Sequence, residues 1–159
     1  MAQRPLPHRS RLLDKFKVAD AIVSTSEPLF SLKLCEVRLQ SDARWPWIVL
    51  IPRRPGAREL EHLNAADRAM LMEEIIAAGS ATRAIGSALG RPVEKLNLGA
   101  LGNITPQLHA HVVGRRADDA AWPGPVWGVG TAVAYEAVAL ERARAAALDI
   151  LQAWGKSAA

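Results

Sequence analysis

Two histidines, His109 and His111, stand two residues apart in the run NITPQLHAHVVGRR, residues 103–116. Gln107 stands two residues before His109, Leu108 and Ala110 fill the gaps, and Val112 and Val113 follow. In an extended strand alternate side chains share a face. Gln107, His109, His111 and Val113 then point one way, and Leu108, Ala110 and Val112 the other. The second set suits a core. The first lines up three polar groups whose Cα atoms are spaced roughly 6.5–7 Å apart, twice the rise per residue. Both rings can therefore meet one small ligand group.

Three readings fit this pattern. The rings can be structural, each hydrogen-bonded to a neighbour. They can bind zinc or iron, which neighbouring imidazoles suit. A metal needs a third ligand, however. His8 and His62 lie far off in the chain, and no carboxylate falls within a few residues of the pair. The third reading is nucleophilic catalysis on a phosphate. Imidazole is substantially neutral at pH 7 and can attack phosphorus, giving a covalent intermediate that divides one hard step into two. The second ring would hydrogen-bond a phosphoryl oxygen or handle a proton. The preceding NLGALGN, with Gly99 and Gly102, can bring backbone N–H groups close to an anion.

Several elements must hold these groups. FSLKLCEVRL alternates apolar and polar residues and slips phase between Leu34 and Cys35, which a bulge would reconcile. QSDARWP is turn-like and WIVLI is a buried strand stopped by Pro52, so a hairpin is expected from about Leu32 to Ile51. KFKVADAIV offers a further short strand. Asn64 is an N-cap with Asp67 in the first helical turn. Leu71, Ile75, Ala78, Thr82, Ile85 and Leu89 then form one helical stripe, closed by Gly90 and Pro92. Gly79 and Gly86 weaken that helix by roughly 1 kcal/mol each. VEKLNLGALG reads as a short strand entering a glycine loop, QLHAHVV as the next strand, and residues 131–153 as a C-terminal helix. The order of strands, helix, strands, helix favours an α+β fold with an antiparallel sheet.

Composition sets the outer limits. The chain has 159 residues, the size of one domain, here read as 1–159. Half its residues are hydrophobic and 23% are charged, a globular balance. No apolar run reaches the roughly 20 residues that span a bilayer, and the first residues lack the apolar stretch of a secretory signal. Cys35 is the only cysteine. Without a possible intrachain disulfide the chain is expected in a reducing compartment, the cytoplasm. The net charge is +4, most of it in residues 1–20, which is no broad basic face for nucleic acid. The pairs Arg53–Arg54 and Arg115–Arg116 can help hold a small anion.

With these residues in view, NLGALGNITPQLHAHVVGRR resembles the signature of the histidine-triad (HIT) proteins, an amide-containing glycine loop followed by His-x-His-x-His on a strand. CEVRLQSDARWPWIVLIPRRPGARELEHL resembles the hairpin that precedes it. The likeness covers about residues 30–115, and DDAAWPGPVWG extends it toward a bacterial branch with Gln in place of the first histidine. The resemblance implies a HIT-like fold, an antiparallel sheet of about five strands with two main helices, usually paired as a homodimer. It implies a nucleotide hydrolase or transferase acting at the α-phosphate, on substrates such as dinucleoside polyphosphates or nucleoside phosphoramidates. The middle histidine, the nucleophile, corresponds to His109 and the third, a phosphate contact, to His111. The loop amide corresponds to Asn97 and a further phosphate contact to Asn103. The ribose-binding residue corresponds to Gln40 or Asp42. Gln107 stands where the first histidine would be; it can orient a ring but cannot titrate. No cofactor or metal is required, although Mg²⁺ is compatible with a polyphosphate substrate. A nucleotide-binding module with little catalysis, and a His-x-His metal protein, are the alternatives.

Overall fold

A sheet with one face committed to helices sets the architecture. The computed structural model describes residues 16–157. Its five strands are β1 (Ser26–Ser31), β2 (Cys35–Gln40), β3 (Trp47–Pro52), β4 (Lys95–Gly99) and β5 (Ala110–Arg115), ordered β1-β2-β3-β5-β4 with every neighbouring pair antiparallel. Two long helices, α2 (Ala65–Ala88) and α3 (Ala137–Ser157), pack together, α2 also against β3 and β5, and α3 against β1. A short helix, α1 (Asp20–Val23), and a 3-10 turn, Leu60–His62, complete the order. The fold is α+β, as the sequence order predicts.

Alternation along the strands divides the apolar residues between two clusters. Val37, Leu39, Ile48, Leu50, Leu108 and Val112 join α2 and α3 in the main core. Trp47, Val49, Ile51 and Val113 leave from the opposite face and meet Ile22, Val126 and Trp127 in a second cluster. At roughly 1.5–3 kcal/mol per fully buried aliphatic or Phe/Met side chain, both clusters resist a change of register.

Helix α2 starts where its cap predicts, with Asn64 Oδ1 accepting the Asp67 N–H at 2.8 Å. Its glycines serve close approach. A Cβ at Gly79 would lie 3.0 Å from Leu96 Cδ1, and one at Gly86 2.7 Å from the Arg91 carbonyl. The helix therefore gives up some propensity to sit near β4 and the chain just before it.

Four local expectations need correction. The phase slip at Leu34–Cys35 is a turn and not a bulge: Leu32 N–H donates to the Cys35 carbonyl at 2.9 Å, separating β1 from β2. The irregular register falls between Pro28 and Phe30. KFKVADAIV holds α1 in place of a strand, because Ile22 turns into the second cluster. The last strand begins at Ala110, so Gln107 and His109 precede its ladder. The C-terminal helix begins at Ala137, because the backbone of Val133 is held by the loop before β3, through Ala43 N–H and the Asp42 carboxylate.

The Leu32–Leu34 turn is fastened from below. Glu74, fully buried on α2, accepts the Leu34 N–H at 2.7 Å and the Cys35 N–H at 2.8 Å. Truncation in Glu74→Ala leaves both donors buried without a partner. A loss of about 3 kcal/mol in unfolding free energy is expected, read as a lower urea midpoint with unchanged slope.

Candidate functional site

Residues 100–109 link β4 to β5 and carry the chemistry to one end of the sheet. A cavity of about 440 Å³ opens there. It brings together Gly102, Asn103, Gln107 and His109, four of the residues singled out from sequence, with Arg58 and Glu61 at its edge. The larger cavity, about 710 Å³ between Phe30 and Trp154, contains none of them. Gly102 lies close to the histidine: a Cβ there would be 3.7 Å from His109 Cε1.

Both imidazoles are largely buried, His109 at 6% and His111 at 8% exposure, with ring centroids 4.8 Å apart and planes at 78°. His109 Nδ1 lies 2.6 Å from the Gln107 carbonyl. A carbonyl only accepts, so Nδ1 carries the proton, and the neutral ring keeps its lone pair on Nε2. His111 is held the other way. Trp47 Nε1–H donates to its Nδ1 at 3.0 Å, so the neutral ring carries its proton on Nε2. Burial, with a smaller contribution from His109, pushes His111 down to about 4, and it is neutral at pH 7.

The Gln107 side-chain amide is engaged by backbone groups of the segment before α1. Its amide oxygen accepts the Ala19 N–H at 2.8 Å and its NH₂ donates to the Lys17 carbonyl at 2.9 Å. It clasps the segment before α1 to the site, a pairing across 90 residues that no local pattern signals.

The remaining expected residues are spread over the sheet. Gly99 pairs in register with His111, and a Cβ on it would come 3.0 Å from Trp127 Cη2. Its bareness admits the indole. Asn97, on β4, accepts from Arg115 Nη1 at 2.6 Å. Gln40 closes β2 opposite Ser26. Asp42 is buried and paired with Arg44 at 2.7 Å. Burial alone would raise its carboxyl, but hydrogen bonds from Arg44 and Val133 outweigh that and hold it below the ordinary range. None of these four lines the His109 cavity.

The expectation that the arginine pairs hold an anion is not met. Arg53 bonds Glu36 and the Leu32 carbonyl, and Arg54 bonds Asp67. Arg115 is buried on Asp119 at 2.8 Å, and Arg116 pairs with Asp118. Each guanidinium is committed to a carboxylate: Arg115 and Arg116 to near neighbours in sequence, Arg53 and Arg54 to Glu36 and Asp67 on other elements. The metal reading finds no third ligand: among the described residues no group of three or more His, Cys, Asp or Glu side chains comes together. His62 Nδ1 accepts the N–H groups of Arg58 and Glu59, and His8 lies outside the described residues. Among the described residues, no helix is long and apolar enough to cross a membrane.

Sequence reasoning missed the surroundings of His111. Trp47 and Trp127 stand edge-on to it, each with its centroid 5.5 Å away. The only available signal was a high tryptophan content among few other aromatics.

The sequence and the fold are similar to those of known proteins. The family model of the HIT domain matches residues 22–118. A histidine triad protein from Bradyrhizobium japonicum is 36% identical with a TM-score of 0.79, covering 86% of this chain and 98% of that one. Another from Sinorhizobium meliloti is 38% identical with a TM-score of 0.78, covering 86% and 97%. A third, from Marinobacter aquaeolei, is 32% identical with a TM-score of 0.77, covering 87% and 98%. No curated protein gives a significant match.

His111 links the site to acid stability. Unfolded, its ring takes a proton near pH 6.5; folded, only near 4. Between those values the unfolded state binds more protons, so stability is lost as pH falls through the window. The His111 share is at most about 3 kcal/mol. The variant His111→Phe should show a correspondingly shallower decline from pH 7 to 4 in denaturant titrations. Parallel wild-type and variant profiles would refute the buried neutral ring.

Proposed function

The chain belongs to the HIT family, and on that premise we propose that it is a nucleotide hydrolase or transferase acting at the α-phosphate through a nucleotidyl intermediate on His109. One observation carries the reading: Nδ1 of His109 is engaged by the Gln107 carbonyl, so the ring that lines the cavity keeps Nε2 as its nucleophilic nitrogen. Attack in line by Nε2 forms a P–N bond as the bond from phosphorus to the leaving group breaks. Water then attacks phosphorus, the P–N bond breaks, and the imidazole returns with its lone pair. A second nucleotide or another acceptor in place of water makes the same step a transfer.

Charge on the equatorial oxygens would be met by Asn103, by backbone N–H groups of the Gly102 loop and by His111 Nε2–H. Preorganised neutral donors of this kind stabilise developing charge without reorganisation. Of the two ribose-binding candidates, Gln40 fits better, because the Asp42 carboxylate is already held by Arg44 and Val133. Asn97 and Gly99 support the site from β4, the first through Arg115 and the second by admitting Trp127. Gln107 contributes its carbonyl, and its residue type at the first triad position supports a branch with Gln-x-His-x-His. Dinucleoside polyphosphates and nucleoside phosphoramidates are the substrate classes to try first. The reading includes a cytoplasmic homodimer. Its interface would run along edge strand β4, where Leu98 is 53% exposed beside Met72 at 51% and Ile76 at 57% on α2.

Incubation with a panel of these nucleotides, followed by mass spectrometry under non-acidic conditions, should detect an acid-labile nucleotidyl adduct on His109. The variant His109→Ala should lose turnover by more than about a thousandfold while still binding nucleotide. Tight binding by the wild type without adduct or product favours the binding module. The interface is checked separately: Leu98→Arg should elute as a monomer in light-scattering chromatography where the wild type elutes as a dimer.

A further inference from the structure

We propose that Trp47 is a positioning residue for His111: its indole N–H, 3.0 Å from Nδ1, selects the Nε2–H tautomer, so that His111 serves the site as a hydrogen-bond donor and not as a base. The inference rests on the reading of His109 as nucleophile and assigns the part its neighbour plays.

The geometry leaves the ring few alternatives. Trp47 is 6% exposed and sits on β3, which pairs with β5 through Val49 and His111. Its ring meets His111 edge-on at 68° and Trp127 at 86°, and Trp127 meets His111 at 72°. The imidazole is therefore bounded by two indoles and by His109, with no carboxylate among these neighbours. Indole N–H has no acceptor capacity, so Nδ1 must present a lone pair to it. A neutral imidazole has one proton, and it then resides on Nε2. Burial keeps the ring in that neutral form. The two histidines thus hold opposite tautomers, His109 fixed by a carbonyl and His111 fixed by an indole. One supplies a lone pair and the other a proton donor. No proton need be lost from His111 at any step for this role.

The variant Trp47→Phe keeps an aromatic ring and removes the N–H. Ring ¹⁵N NMR of the wild type should show His111 Nδ1 unprotonated and Nε2 protonated, and His109 with the reverse pattern. In Trp47→Phe the His111 signals should move toward a mixture of tautomers while those of His109 stay. Removing a preorganised donor outright costs about 10²–10³ in kcat. Here the ring remains and only its tautomer is released, so kcat should fall by roughly tenfold with KM near wild type. A protonated Nδ1 in the wild type overturns the proposal without need of any variant. So does a tautomer shift in Trp47→Phe that leaves kcat unchanged. A wild type that shows the Nε2–H tautomer but turns over no nucleotide overturns the functional reading and leaves the tautomer selection by Trp47 supported.

Discussion

Everything at the site depends on the register of β5 between β3 and β4. Val112 pairs with Ile48 on one side and with Leu98 on the other, and His111 pairs with Val49 and Gly99. With a side-chain period of two, this places Leu108 and Val112 over α2 and sends His111 and Val113 to the opposite face. A slip by one residue would drive an imidazole into an aliphatic core without a partner, at a cost of the order of 1–3 kcal/mol for the polar group, and would expel Val112 as well. Register is strongly specified where both faces are buried. The pairing that makes the core also aims the chemistry.

The face that receives the histidines is itself covered, by α1 with the chain just before it and by Val126–Val129. Covering it excludes water and makes each remaining polar contact more decisive. The arginine pairs of the sequence lie apart from this site, and the cation that borders the cavity is Arg58. The four guanidiniums that looked suited to an anion each hold a carboxylate, and the buried Arg115–Asp119 pair also fixes Asn97. On the proposed reading, an α-phosphate in the cavity would meet mostly neutral dipoles, with the Arg58 guanidinium at its edge. Such a site favours stabilisation of charge as it redistributes over avid binding of the ground state.

What could be read from sequence was local or periodic. The Asn64 cap, the α2 stripe, the WIVLI strand and the alternation through His111 each follow from a few neighbouring residues, and each reappears in the structure. The HIT resemblance came from the same short stretches. What escaped was set by distant partners. The Leu32–Leu34 turn looked like a bulge because Glu74, 40 residues away, supplies the acceptors that stabilise it. Helix α1 looked like a strand because its apolar spacing is too short to separate the two periods. Trp47 and His111 lie 64 residues apart. The Asp42 carboxylate is shared between Arg44 and Val133, the latter 91 residues away.

The substitution at the head of the triad shows how one residue can carry two such distant effects. The side chain of Gln107 ties down the chain at Lys17 and Ala19, and its carbonyl orients His109. Because residues 107–109 precede the β5 ladder, sheet hydrogen bonds do not fix that carbonyl; the Leu108 N–H on Ala57 and the side-chain clasp do. An amide does not titrate, so the clasp keeps its strength at any pH where the fold persists. A histidine at this position would bring a proton to the reaction but also a charge that varies near neutrality. On the proposed reading, glutamine at this position would trade that proton for a fixed frame. In the proposed mechanism, proton movement would then fall to His109, the leaving group and water, while the rest of the site would position and stabilise.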